Sequence, residues 1–187
     1  MRTTIAPLAL ALAFAAPAAA QTTAHKPPEK PAPAAAAKPA PVANAPKELG
    51  KFDDWIAATH QESGQTTCYA FVRASHSAPA LPSRGPVILT VTERSGSRDE
   101  VAITAGYTFP KGASVTLQVL ATGLDFYTAG SDAFARDGKA SVAAFQKGSE
   151  AISRSPGPRD GQVIVDTFSL RGFSSAYAAI NKACPAR

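Results

Sequence analysis

Thr167 to Cys184 reads TFSLRGFSSAYAAINKAC. Its first residues finish an apolar, β-branched run that starts at Gln162. From Phe173 the period changes: Phe173, Ala176, Tyr177, Ile180 and Cys184 fall on one stripe at helical spacing. Lys182 sits in the last turn, where a cation suits the helix dipole. Pro185 stops the helix. A strand, a corner at Leu170-Arg171-Gly172 and a helix over Phe173–Ala183 predict a terminal helix folded back onto a sheet. The stripe assigns Phe173 and Tyr177 to packing.

Upstream of this block, Ala151–Ser155 and Gln162–Leu170 read as the arms of a hairpin. Pro156-Gly157-Pro158-Arg159-Asp160-Gly161 between them is dense turn chemistry. Further strands are expected at Phe52–Ala57, Cys68–Ala74, Val87–Glu93, Glu100–Tyr107, Ser114–Leu120 and Leu124–Thr128. In Val87–Glu93, Val87, Leu89 and Val91 alternate with Ile88, Thr90 and Thr92. In Ser114–Leu120, Val115, Leu117 and Val119 oppose Thr116 and Gln118. A first helix is expected over Lys139–Lys147, with Val142 and Phe145 inward and Gly148 as its stop. Strands at about ten-residue spacing predict a mainly β domain, a β-sandwich or barrel-like antiparallel assembly with two short helices.

That domain is expected to run from Glu48 to Arg187. Met1 to Ala20, MRTTIAPLALALAFAAPAAA, has Arg2 as a basic start, an apolar Ile5–Ala16 and a small-residue Ala18-Ala19-Ala20. This is the pattern of a secretory signal peptide cleaved before Gln21. It is too short for a bilayer span, and neither a lipid anchor nor a twin-Arg signal is expected. Gln21 to Lys47 is Pro-, Ala- and Lys-rich, and too poor in large apolar side chains to offset its ordering entropy. It reads as an extended tether. The chain carries a net charge of +5. The tether holds about +3 of it (Lys26, Lys30, Lys38 and Lys47 against Glu29), which leaves the domain near neutral. A nucleic-acid-binding domain would instead cluster its charge on a folded face. A weak contact of the tether with an anionic envelope surface is the most its charge suggests.

Two cysteines in an exported chain predict one disulfide, Cys68–Cys184. It would close a long loop and pin the terminal helix near the second strand. No Cys-x-x-Cys accompanies them, so a redox role has no support.

Other chemistry is thin. No G-x-S-x-G occurs; Gly130-Ser131-Asp132 and Gly148-Ser149-Glu150 lack its spacing. His60 and His76 lie in polar surroundings and read as exposed loop residues rather than members of a triad. A metal site from His60, Glu62 and Asp53 or Asp54 lacks ligand spacing, so neither a metal nor a cofactor is expected. The 156–161 turn is no phosphate cradle, since Pro lacks a donor and no helix follows. Arg154, Arg159 and Arg171 are the candidates for an anion-recognition patch, against the plainer reading of solvated charges. Trp55 and Tyr69 are candidates for a groove, against the plainer reading of core anchors.

FDDW (Phe52–Trp55), CYAF (Cys68–Phe71) and the TFSLRGFSSAYAAINKAC block together resemble the invasion-associated locus B family of exported alphaproteobacterial proteins. The resemblance covers Gly50 to Cys184. It departs at Ala57-Ala58-Thr59-His60, where members often carry a further Cys. It implies a β-rich periplasmic or envelope domain, linked to host-cell invasion in some pathogenic relatives, with no catalytic residues to carry over. The leading expectation is therefore a non-enzymatic interaction or structural module with an envelope or host protein as partner. A small-ligand binder using the interior of the sandwich or barrel is the alternative, and an envelope hydrolase a distant third.

Overall fold

The computed structural model describes residues 45–186. Eleven strands and two helices follow in order: β1 (Lys47–Phe52), β2 (Trp55–Glu62), β3 (Gln65–Arg73), β4 (His76–Ala78), β5 (Ile88–Glu93), β6 (Glu100–Thr104), β7 (Ser114–Val119), β8 (Thr122–Ala129), β9 (Asp132–Ala135), α1 (Gly138–Phe145), β10 (Glu150–Pro156), β11 (Val163–Ser169) and α2 (Phe173–Ala183). The strands form one antiparallel sheet in the order β1-β2-β3-β5-β6-β9-β8-β7-β10-β11-β4. No helix of the described residues is long and apolar enough to cross a membrane.

The sheet curls on itself. β3 pairs with β5, and three residues later the same stretch of chain, as β4, pairs with β11 at the far edge. The bend between them is held by the Ser75 N–H donating to the Thr167 carbonyl at 2.8 Å. Of the two expected architectures this is the barrel-like one, built from a single sheet. The period-2 sequences explain it. Leu89 and Val91 on β5, Val115, Leu117 and Val119 on β7, and Ile164 and Phe168 on β11 all point inward and are buried.

α1 starts at Asp137, whose carboxylate accepts from the Ala140 N–H at 2.8 Å. α2 keeps the expected bounds and lies across β1, β2 and β3. Phe173, Ala176 and Ile180 are its buried face. Burying a side chain the size of Phe173 or Ile180 stabilises by about 2 kcal/mol, and this holds a helix too short to persist alone. Gly172 opens α2 at φ 84°. A Cβ there would run into the Phe52 carbonyl oxygen, so only glycine lets the corner approach β1.

Three expectations change. The single strand at Phe52–Ala57 is a hairpin instead: Asp53 and Asp54 form the turn between β1 and β2, with Asp53 at φ 48°, a conformation Asp tolerates better than most residues. The Glu100–Tyr107 strand ends at Thr104, before Gly106 turns the chain at φ 73°. The short strands β4 and β9 pair within ladders that their own sequences do not announce.

Candidate interaction site

The blocks FDDW and SLRGF are far apart in sequence and touch in space. The Trp55 indole Nε1–H donates to the Ser169 carbonyl at 3.0 Å, and the Ser169 hydroxyl donates to Asp54 at 2.7 Å. The Trp55 ring is wholly buried, 4.9 Å from the Phe173 ring, and Phe145 meets Phe173 edge-on at 5.3 Å. Trp55 is therefore a core anchor and lines no groove: its inward position on β2 places it under α2. Tyr69 differs. It lies on the outward face of β3, half-buried between His60 (5.4 Å) and Phe71 (6.1 Å), and this partial burial raises its hydroxyl pKa. Tyr177 packs against Phe173 at 5.6 Å.

Cys68 and Cys184 form a disulfide with their Cα atoms 6.0 Å apart. It joins β3 to the end of α2.

The opposite end of the barrel gathers the loops after β4, β6 and β10. Arg84 ties them together. Its guanidinium forks onto the Asp166 carboxylate with two bonds of 2.8 Å, and its Nε–H donates to the Ala105 carbonyl at 2.7 Å. Ser77 donates to the same carboxylate at 2.7 Å. The Tyr107 ring lies 5.2 Å from the guanidinium, and the Tyr107 hydroxyl donates to the Pro156 carbonyl and meets the Ser155 hydroxyl, both at 2.9 Å. Both ends of the Arg84–Asp166 pair are almost fully buried. Burial, more than any other cause, raises the Tyr107 pKa.

Outside this clamp lie two open hollows. One, of about 520 Å³, is walled by Leu81, Pro82, Tyr107 and Pro158. The other, of about 610 Å³, is walled by Pro110, Pro156 and Val163. Arg159 borders both, and Arg154 borders the second. Neither arginine enters an ion pair among the described residues. Two of the three candidate arginines thus share a surface. Arg171 does not: β10 and β11 pair Pro156 with Val163 at one end and Glu150 with Ser169 at the other, and Arg171 follows Ser169. It is exposed at the corner before α2.

His60 and Glu62 lie apart from this end. His60 Nε2 is 4.0 Å from Glu62. Glu62 bonds Arg94 and Thr67, each at 3.1 Å, and these bonds, Arg94 first, hold its carboxyl below the usual range. His76 sits on β4 opposite Thr167. Among the described residues no three His, Cys, Asp or Glu side chains gather as metal ligands would.

Two acidic residues escaped the sequence reading: Asp166, and Glu93 beside the disulfide. Both fall on the inward faces of their strands, Asp166 between Ile164 and Phe168 and Glu93 two residues beyond Val91. An acidic residue in phase with an inward apolar stripe is the signal for a buried carboxyl that needs a cation.

No family model and no curated protein matches this chain. Among solved structures the chain is similar to the crystal structure of invasion associated protein b from Bartonella henselae, at 17% identity and a TM-score of 0.54, over 72% of this chain and 95% of that one. At that identity the likeness is one of fold: the described domain is folded like that protein.

Proposed function

We propose that this chain is an exported, non-catalytic envelope module that binds a partner protein through the arginine- and proline-rich end of its barrel. In this reading Met1–Ala20 is removed on export. The stretch from Gln21 up to the start of β1 at Lys47 then serves as a spacer between the domain and its surroundings. The Cys68–Cys184 disulfide supports export, because such bonds persist in oxidising compartments and not in the cytosol. The fold likeness to an invasion associated protein fits an envelope role.

The observation that carries the binding face is the pairing of Arg154 and Arg159 with apolar hollows on a proline-containing rim. Prolines fix that rim, so little ordering entropy opposes binding. Guanidinium groups without a carboxylate partner suit an acidic, partly apolar segment of another protein. Large apolar side chains from β5, β7, β8 and β11 fill the barrel interior, which favours a surface site over a ligand held inside.

The test is capture of envelope proteins by the mature chain, wild type against the Arg154→Glu/Arg159→Glu double variant. Loss of a captured protein at unchanged melting temperature supports the face. Equal capture by both overturns it. Turnover of an ester, peptide or glycoside substrate that disappears in His60→Ala or His76→Ala would overturn the non-catalytic reading.

A further inference from the structure

We propose that Glu93 makes the docking of the C-terminal end of α2 depend on pH: a protonated Glu93 keeps the turn 94–99 latched onto the helix, and its ionisation loosens that latch. This goes beyond the partner-binding reading and concerns the other end of the barrel.

Glu93 is wholly buried at the end of β5, directly opposite Cys68 of β3 in the ladder. Its Oε2 forms an ion pair with the Arg98 Nε at 2.7 Å and accepts from the Asp99 N–H at 3.3 Å, while its Oε1 has no hydrogen-bond partner among the described residues. Arg98 is the hinge of the cluster. The same guanidinium donates to the Cys184 carbonyl at 2.6 Å and to the Asn181 side-chain oxygen. Asp99 adds a second tie, accepting from the Tyr177 hydroxyl at 2.5 Å. The turn is therefore fastened to the last turns of α2 through side chains that converge on one buried carboxyl.

The neighbours define the electrostatics. The turn contributes Arg98 and Asp99. α2 contributes Tyr177 and Asn181. β3 contributes Cys68, which is locked in the disulfide. Arg94 is engaged outward with Glu62 and Glu100. α1 approaches through Gly138, where a Cβ would strike the Asp99 carbonyl, while Asp137 and Lys139 face solvent. One cation thus faces two acids and a phenol. An ionised Glu93 leaves a charged oxygen buried without a donor, and a proton removes that penalty.

Burial, first of all, pushes the Glu93 carboxyl up to about 7, against the opposing pull of the Asp99 N–H and Arg98. The Tyr177 hydroxyl, partly buried and bonded to Asp99, is pushed up to about 12 and stays neutral. The folded state then holds a proton that the unfolded chain has released. The stability due to this group is fully present below the usual carboxyl value of 4.5, and falls as pH rises from there to about 7.

The test is hydrogen exchange on the mature full chain at pH 5 and pH 8, corrected for intrinsic rates. The reporter is the Cys184 amide, which donates to the Ile180 carbonyl at 2.8 Å. Wild type should lose roughly tenfold or more of its protection at the higher pH, and Glu93→Gln should lose little. Equal protection of wild type at both values, or the same loss in both proteins, overturns the proposal. A carboxyl-carbon NMR titration of wild-type Glu93 decides the matter if the variant does not fold. A midpoint near neutrality supports the latch, and one in the ordinary carboxylate range overturns it.

Discussion

The two ends of this barrel close differently. At one end α2 lays Phe173, Ala176 and Ile180 over the core, Trp55 locks underneath, and a disulfide joins the end of the helix to β3. At the other no helix of the described residues covers the loops. A buried ion pair, Arg84–Asp166, holds them from within, and two hollows face solvent. Apolar closure excludes water over a wide area and carries little directional information. A charged clamp fixes geometry at a few atoms and leaves the surface above it free to bind. The contrast sets an apolar, disulfide-tied closure at the first end against an open rim at the second, where the proposed recognition face lies.

The largest test removes sulfur from the first end. The Cys68→Ser/Cys184→Ser double variant should lose roughly 4–5 kcal/mol in the chain-entropy model, read as the midpoint of denaturant unfolding. An unfolding free energy within about 0.5 kcal/mol of wild type (the size of an ordinary surface change) would mean that apolar packing alone seals that end. Trp55→Ala comes next. It should cost about 3–5 kcal/mol, because it opens a cavity under Phe173 and frees the Ser169 carbonyl. A cost below about 1 kcal/mol would show that the two sequence blocks are not coupled through this ring.

At the second end, Arg84→Met should cost about 3 kcal/mol by stranding the buried Asp166 carboxylate. Arg84→Met/Asp166→Leu should recover a large part of that loss, since no unpaired charge remains. Failure of the double variant to recover would mean that the clamp acts by geometry at Ala105 and Tyr107 rather than by charge. The smallest effect is expected on the rim. Arg154→Glu/Arg159→Glu should move stability by no more than about 0.5 kcal/mol and show itself only in partner capture.

How legible each end was follows from the range of its interactions. Alternation in Val87–Glu93 and Ser114–Leu120 gives β5 and β7 within a residue or two, because a half-buried strand writes its burial into neighbouring positions. α2 was legible for the same reason at helical period. The turn at Asp53-Asp54 was not, since Phe52 and Trp55 prolong the apolar pattern through it. β4 and β9 were hidden because strands of three and four residues hold too little periodicity. The reading of Trp55 as a groove candidate is corrected by its complete burial. The grouping of Arg154 with Arg159 followed from proximity in the hairpin, whereas Arg171 required the strand register to place it at the far end. Arg84 gave no local signal: its partner is 82 residues away, and the cue lay in Asp166 instead, an acid in an inward stripe.

Central to the proposed function is the export of a chain whose last helix is tied to its third strand through sulfur. Mass spectrometry of protein taken from the envelope of the native host, alkylated before a non-reducing digest, addresses it most directly. The predicted result is a chain beginning at Gln21 and one linked peptide pair containing Cys68 and Cys184. Alkylated thiols at both positions, or an intact Met1–Ala20 leader on cytosolic protein, would contradict it.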